Sequence, residues 1–150
     1  MNNLVVPNSV LLAKVAQAIA QGNAVLIPVK GRSMHPFVIG DKECVELYPI
    51  TDIRIGDVVL ATLGSGKYLL HRIYGFKGED GVILMGDGNV RNKEFCLRSD
   101  ILAKARFVVK EDGRRLSFDS FSMRLAFWIW KFSLPVRGVL LKLYRLLVLK

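Results

Sequence analysis

One serine and one histidine are the residues of this sequence best suited to chemistry. Ser33 stands in the segment KGRSMHP, residues 30–36, between a glycine-containing turn and a proline. A serine there is expected on a tight bend after a strand, where backbone N–H groups can face a developing oxyanion. His71 lies among apolar residues, and an imidazole with an ordinary pKa of about 6.5 accepts a serine proton with little tuning. These types predict Ser33 as nucleophile and His71 as general base.

Other residues compete for the role of base. His35 is only two positions from Ser33, although a residue at that separation on a turn usually points elsewhere. Lys30 and Lys67 are the nearest lysines, and they are weaker candidates. A Gly-x-Ser-x-x-Pro turn taken alone is also common as a purely structural feature, so the wider sequence must decide.

Four further segments follow Ser33 in order. They are Gly40-Asp41, Gly56-Asp57-Val58-Val59, His71-Arg72-Ile73 and Gly86-Asp87-Gly88-Asn89. With the segment around Ser33, this series over residues 29–89 resembles the signal peptidase I family, within the broader group that holds the LexA-type self-cleaving repressors. Each segment is modest alone, but five in series are specific. Asp41 and Asp57, which follow glycines and precede strands, are interpreted as structural turn residues.

The resemblance implies roles for individual residues. Ser33 matches the nucleophile, and His71 stands where most bacterial members carry lysine; histidine is typical of signal peptidases of the endoplasmic reticulum, of archaea and of some bacteria. Asp87 is implied as a third catalytic residue that orients the imidazole, with a turn-forming role as an equal alternative. The residues predicted around the oxyanion and the substrate are Arg32, Met34, Pro36 and Asn89. No cofactor is expected, and two histidines make a metal site improbable.

Three departures from the family pattern stand out. Beyond the Gly-Asp turn, where eukaryotic and archaeal members carry another aspartate, only Glu94 offers a carboxylate, as a poor substitute. Position 31, which holds an oxyanion-site hydroxyl in many bacterial members, is glycine, so the oxyanion site would rest on backbone N–H groups such as that of Ser33. No N-terminal anchor is recognised, and residues 1–7 lack the basic region of a secretory signal.

The pattern of short strands and turns predicts a mainly β fold. We expect a small coiled β-barrel or sheet of the signal peptidase or LexA catalytic type, with a short N-terminal helix over 8–21 and C-terminal amphipathic helices. A peptidase domain is predicted for 1–118 and a basic, apolar helical tail for 119–150. The predicted strands span 24–29, 44–48, 57–63, 67–74, 82–85 and 101–109, with a hairpin turn at 64–66. Cys44 and Cys96 are expected to be free thiols, with one disulfide as the alternative.

The tail combines positive charge with apolar residues. Residues 121–150 contain six basic residues and no acidic one, with aromatic and aliphatic residues between them and a break at Pro135 and Gly138 before a helix from Val139. This is typical of helices lying in a membrane interface. Packing on the domain or on a partner is the alternative, and nucleic acid is unlikely. Lacking about 18 consecutive apolar residues, the chain is expected to be a peripheral membrane protein on either side of the membrane, with a cytoplasmic location as one alternative.

The predicted function is a serine endopeptidase that cleaves leader-like or signal-like peptides through an acyl-enzyme. By the resemblance, its peptide or protein substrate has small residues before the cleaved bond. One alternative is a LexA-type self-cleaving regulator, against which stand the short N-terminal segment and the lack of any Ala-Gly or Cys-Gly bond. The other is a catalytically silent peptide-binding module of the same fold.

Overall fold

The computed structural model describes residues 8–64 and 67–148. The described residues form three α-helices, eight β-strands and a 3₁₀ turn at Arg98–Asp100. The helices are α1 (Asn8–Ala20), α2 (Phe121–Phe132) and α3 (Arg137–Val148), and the strands are β1 (Val25–Pro28), β2 (Cys44–Tyr48), β3 (Val58–Leu63), β4 (Lys67–Lys77), β5 (Gly81–Met85), β6 (Glu94–Leu97), β7 (Ile101–Val109) and β8 (Arg115–Ser117).

The strands form one antiparallel sheet, which confirms the predicted mainly β class. Its order is β1-β2-β7-β3-β4-β5-β6, and β8 pairs with β7. The six predicted strands all occur, with ends that differ by up to three residues; β6 and β8 were not predicted from the sequence. Residues 1–7, the last two residues of the tail, and Ser65 and Gly66 of the predicted hairpin turn lie outside the described residues.

Strand β3 is buried on both faces, which explains its continuous apolar sequence. Val58 and Leu60 enter a core with Val15 and Ile19 of α1, whereas Val59 enters a second core on the opposite side. Backbone irregularities interrupt the register of β2 with β7, of β3 with β7 and of β4 with β5. Such irregularities increase local twist and bend strands, so the sheet can wrap around two cores.

The middle of the sheet leaves one stretch of strand edge open. Residues Tyr68 to His71 of β4 pair with β3, whereas pairing of β4 with β5 begins only at Arg72. Within the described residues, β1 also pairs on one side only, with β2. These two edges border the candidate site.

The two C-terminal helices pack against the sheet on one side. Ser120 caps α2 by accepting a hydrogen bond from the Met123 N–H at 3.3 Å, and Phe127 is buried against Tyr74 and Met85. The predicted break separates α2 from α3, although α3 begins at Arg137 and thus includes Gly138. Among the described residues, every helix is too short or too polar to cross a membrane. Both cysteines are free thiols.

Candidate active site

Ser33 lies in a compact bend that follows β1. Gly31 has a φ of 76°, a left-handed conformation that favours glycine, and the Asp41 N–H donates to the Val29 carbonyl at 2.7 Å. A Cβ at Gly40 would collide with the Gly31 carbonyl oxygen, so the two halves of the bend touch through their backbones. The bend therefore holds Ser33 half-buried at the sheet edge, as predicted for a residue on a tight turn.

His71 is fixed on β4 and is buried. It pairs with Val59 of β3, and its side chain is 9 % exposed. Its Nδ1 lies 2.9 Å from Oε2 of Glu94, the first residue of β6. With Glu94 ionised, this contact places the proton on Nδ1 and leaves Nε2 as the acceptor.

The glycine-rich turn of residues 86–89 packs directly on the bend of Ser33. The Gly88 N–H donates to the Ser33 carbonyl at 2.8 Å. A Cβ at Gly86 would collide with that same carbonyl and would lie 3.1 Å from His71 Nε2 and 2.9 Å from Asn89 Nδ2. Ser33, His71 and Asn89 thus surround one glycine, and the absence of a side chain at that position permits their approach.

Asp87 pairs with Arg72 and not with His71, the partner predicted for it. Its fully buried carboxylate accepts hydrogen bonds from Arg72, from Nε at 2.9 Å and from a terminal nitrogen at 2.7 Å. Arg72 also donates to the Gly56 carbonyl at 2.9 Å. A buried guanidinium requires an opposite charge nearby, and the Asp87 carboxylate supplies that charge to Arg72. The predicted contact between Asp87 and His71 is therefore corrected: Glu94 makes it.

Of the other predicted residues, Arg32 and Asn89 make backbone contacts at the turn, and Met34 and Pro36 are buried or half-buried. Arg32 is exposed, and its carbonyl lies against Gly88, where a Cβ would collide with it. Asn89 closes the turn by donating its N–H to the Gly86 carbonyl at 3.0 Å. Met34 is a buried core residue that also contacts the pocket, and Pro36 is half-buried after a cis peptide bond. The contacts of Arg32 and Asn89 named above are thus made by backbone groups.

His35, the rival base, lines a different pocket from the one that Ser33 and His71 line. It is 2 % exposed, contacts the Tyr144 ring edge to face, and borders a separate pocket of about 350 Å³ with Arg32 and Lys42. Its ring nitrogens have no hydrogen-bond partner among the described residues. Burial lowers the pKa of His35, and the positive charges of Arg145 and Arg32 lower it further.

Ser33 and His71 contribute to one pocket of about 250 Å³ between β1 and the open edge of β4. Its wall is mostly apolar and includes Leu12, Ile27 and Leu70. Among the described residues, no group of histidine, cysteine, aspartate or glutamate side chains is arranged to hold a metal ion. The pocket lining thus includes the Ser33 residue, with its hydroxyl, and the His71 residue, with its imidazole.

Glu94 is the residue that sequence reasoning undervalued. The signal was present, since it is the first carboxylate after the Gly86–Asn89 turn. Its contact with His71 depends on β6 pairing with β5, where Glu94 stands opposite Leu84.

Comparison of the sequence with models of known protein families and with curated proteins finds no match.

Proposed function

We propose that this chain is a serine endopeptidase of the signal peptidase type. The observation that carries the proposal is the convergence of Ser33 and His71 on one pocket, with Glu94 at the far nitrogen of the imidazole. Nucleophile, base and orienting carboxylate in this order are the arrangement that serine hydrolases of unrelated folds share. The coiled antiparallel sheet is compatible with the catalytic fold that the sequence resembles.

The proposed reaction proceeds in two steps. His71 Nε2 takes the proton of the Ser33 hydroxyl while its oxygen attacks the peptide carbonyl, and the same proton then passes to the leaving amine. The peptide C–N bond breaks and an ester to Ser33 forms. A water molecule, deprotonated by His71, hydrolyses the ester and restores the hydroxyl. Glu94 stabilises the positive imidazolium that forms in each step.

Backbone N–H groups would stabilise the oxyanion. Among the described residues, the Ser33 N–H donates to no backbone acceptor, and we infer that it can donate to a substrate oxygen. Gly31, at the position where many members of the resembling family carry a hydroxyl, offers no side chain for this role. An oxyanion site of this kind resembles those of other acyl-transfer enzymes.

The substrate would bind as an extended strand. In the described part of the chain, the open edge of β4 over Tyr68 to His71 and the edge strand β1 have backbone groups without a strand partner, on either side of the pocket. A peptide can add to such edges by β-augmentation. The family resemblance suggests that small residues precede the cleaved bond, and the apolar pocket of about 250 Å³ is consistent with a leader-like segment.

Labelling with a serine-directed acylating probe tests this proposal. We expect labelling of the wild-type chain, none of Ser33→Ala, and slow labelling of His71→Ala. Ser99→Ala, an exposed serine outside the site, is the matched control and should label like the wild type. Mass spectrometry of peptides incubated with wild type and Ser33→Ala then identifies the cleaved bond. Labelling that survives Ser33→Ala would refute the assignment of the nucleophile.

One observation favours a second candidate, a silent peptide-binding module of the same fold. In the described residues, the hydrogen bond of His71 goes to Glu94, and none joins its ring to the Ser33 hydroxyl. Catalytic contacts are often long before substrate binds, so this geometry is compatible with an enzyme. A chain that binds extended peptides in calorimetry but neither labels nor cleaves would be such a module. Conversion of purified chain into two fragments would indicate the LexA-type alternative.

A further inference from the structure

Helices α2 and α3 expose a large apolar surface to solvent. We call this surface the tail face, and its members are between 40 % and 83 % exposed. They are Phe121, Leu125, Trp128, Ile129 and Phe132 of α2, Val136 of the connection, and Val139, Leu140, Leu143, Leu146, Leu147 and Val148 of α3. A patch of this kind on a folded chain marks an interaction surface.

The tail face is distinct from the part of the helices that packs on the sheet. Phe127 and Leu141 are 1 % and 2 % exposed, and Arg137 is fully buried with its guanidinium 5.0 Å from the Trp130 ring centre. Both helices thus already bury one side in their own protein. The exposed side is left over after folding and is available to a partner.

Charge selects among the possible partners. Residues 121–150 carry no acidic side chain. Lys142 and Arg145 are exposed, and neither makes an ion pair within the described part of the chain. Lys131 lies over the Trp128 ring, with Nζ 5.0 Å from the ring centre. A second copy of this face would bring like charges together, whereas a negatively charged surface would complement them.

We propose that the tail face docks this protein on the surface of a bilayer that contains anionic lipid. Each helix has 12 residues and is about 18 Å long, too short to cross a hydrocarbon core of about 30 Å. The helices would lie in the interface, with apolar side chains among the acyl chains and lysine and arginine reaching the headgroups. Trp128 adds an aromatic ring of the type enriched at this depth.

The same helices hold the candidate active site, so docking would fix its position at the membrane. Trp130 Nε1 donates to the Asp87 carbonyl at 2.8 Å, and Arg137 donates to the Asn89 carbonyl at 3.3 Å. These contacts bind α2 and α3 to the turn on which Ser33 rests. If the proposed peptidase function is correct, peptides tethered at the bilayer are the substrates this placement favours; the docking itself is independent of catalysis.

Vesicle sedimentation with the full chain tests the docking. The probes are vesicles of phosphatidylcholine alone and of phosphatidylcholine with phosphatidylglycerol. We expect binding to the mixed vesicles, with affinity lowered about tenfold or more in Ile129→Ser/Leu146→Ser, which removes exposed apolar groups that docking would bury in the bilayer. Phe95→Ser/Leu97→Ser is the matched control, since both side chains are about as exposed but lie on β6, and it should bind like the wild type.

A charge variant separates lipid attraction from general hydrophobicity. Lys142→Gln/Arg145→Gln should lose about tenfold or more of its preference for the mixed vesicles, because each charge near an anionic surface contributes about 1 kcal/mol. Equal binding to both vesicle types, equal loss in the two double serine variants, or no binding would overturn the proposal. Dimerisation in sedimentation velocity that Ile129→Ser/Leu146→Ser abolishes would assign the face to a second copy instead. None of these readouts depends on peptidase activity, so its absence would leave them unaffected.

Discussion

Two carboxylates near each other in the sequence have different partners in the structure, a guanidinium for one and an imidazole for the other. Asp87 is fully buried and meets the guanidinium of Arg72, so its charge neutralises another buried charge. The Glu94 side chain is 25 % exposed and meets the Nδ1 of His71. In the proposed mechanism, the group that orients the base must touch the imidazole, and Glu94 makes that contact.

Glu94→Gln tests the orienting role. The amide can still accept from Nδ1, but it cannot stabilise an imidazolium, so kcat should fall about ten- to a hundredfold with KM nearly unchanged. This range is below the loss seen for fully buried triads because solvent screens a partly exposed carboxylate. Glu79→Gln, an exposed carboxylate on a turn, is the control. An unchanged kcat, measured by peptide cleavage, would remove Glu94 from the mechanism.

The lowered pKa of the buried His35 predicts how the stability of the protein depends on pH. Burial and the charges of Arg145 and Arg32 lower the pKa of His35 below 6.5, its ordinary value, while Glu43 and Asp41 oppose this shift. The unfolded chain therefore binds the proton more readily than the folded chain does. Stability associated with His35 is complete above pH 6.5 and declines as the pH falls below that value.

The comparison of wild type with His35→Gln checks this sign. In urea titrations between pH 7 and pH 5, the unfolding free energy of the wild type should decrease more steeply than that of the variant. If the variant is too unstable to titrate, His35→Phe serves the same purpose with an apolar ring. A wild-type curve that rises on acidification, or two parallel curves, would contradict the predicted direction.

At the scale of elements, the candidate catalytic residues are brought together by a turn rather than by a strand pair. Gly86 and Gly88 let residues 86–89 approach the Ser33 carbonyl and the His71 ring at distances that a Cβ would prevent. Sequence order alone could predict that the segments converge. It could not predict that glycine backbone would form the contact, since that depends on the position of β5 relative to the bend.

Gly86→Ala should therefore impair the site more than an ordinary glycine substitution. Its Cβ would collide with the Ser33 carbonyl and crowd His71 Nε2, so the turn must move away. We expect a loss of more than tenfold in kcat/KM together with a lower melting temperature. Gly64→Ala is the matched control, because a Cβ there meets no atom of the described residues within 4 Å. Equal effects of the two substitutions would show that the turn does not depend on close approach.

Strands β3 and β7, which were predicted from the sequence, have a strongly apolar composition, whereas β6, which was not predicted, depends on pairing with its neighbour. β3 is strongly apolar, with all but its last two residues fully buried, and β7 has nine residues of which seven are apolar, so composition indicated both strands. β6 has four residues, and only Cys96 is fully buried. Its pairing with β5 decides its conformation, a tertiary effect that local pattern does not record. The partner of His71 was uncertain for the same reason.

At the scale of the whole molecule, the sequence boundary near residue 118 does not separate two independent units. The tail carries the charge and exposed apolar surface predicted for it, yet α2 also completes the core. Phe127 packs edge to face on Tyr74, with ring centres 5.6 Å apart. Arg124 pairs with Asp57 at 3.0 Å, joining α2 to the start of β3. Hydrophobic periodicity predicted the helices, but which side of each helix is buried depended on the sheet beneath them.

Substitutions along α2 distinguish an integral helix from an appended one. Phe127→Ala should lower the free energy of unfolding by about 3–5 kcal/mol, because it empties a fully buried site between Tyr74 and Met85. Phe132→Ala removes the same ring from a position that is 78 % exposed and should change stability by less than about 0.5 kcal/mol. Urea denaturation of both variants, followed by tryptophan fluorescence, gives the two values. Equal and small changes would mean that α2 is dispensable for folding, in which case its hold on the Asp87 carbonyl could not position the candidate site.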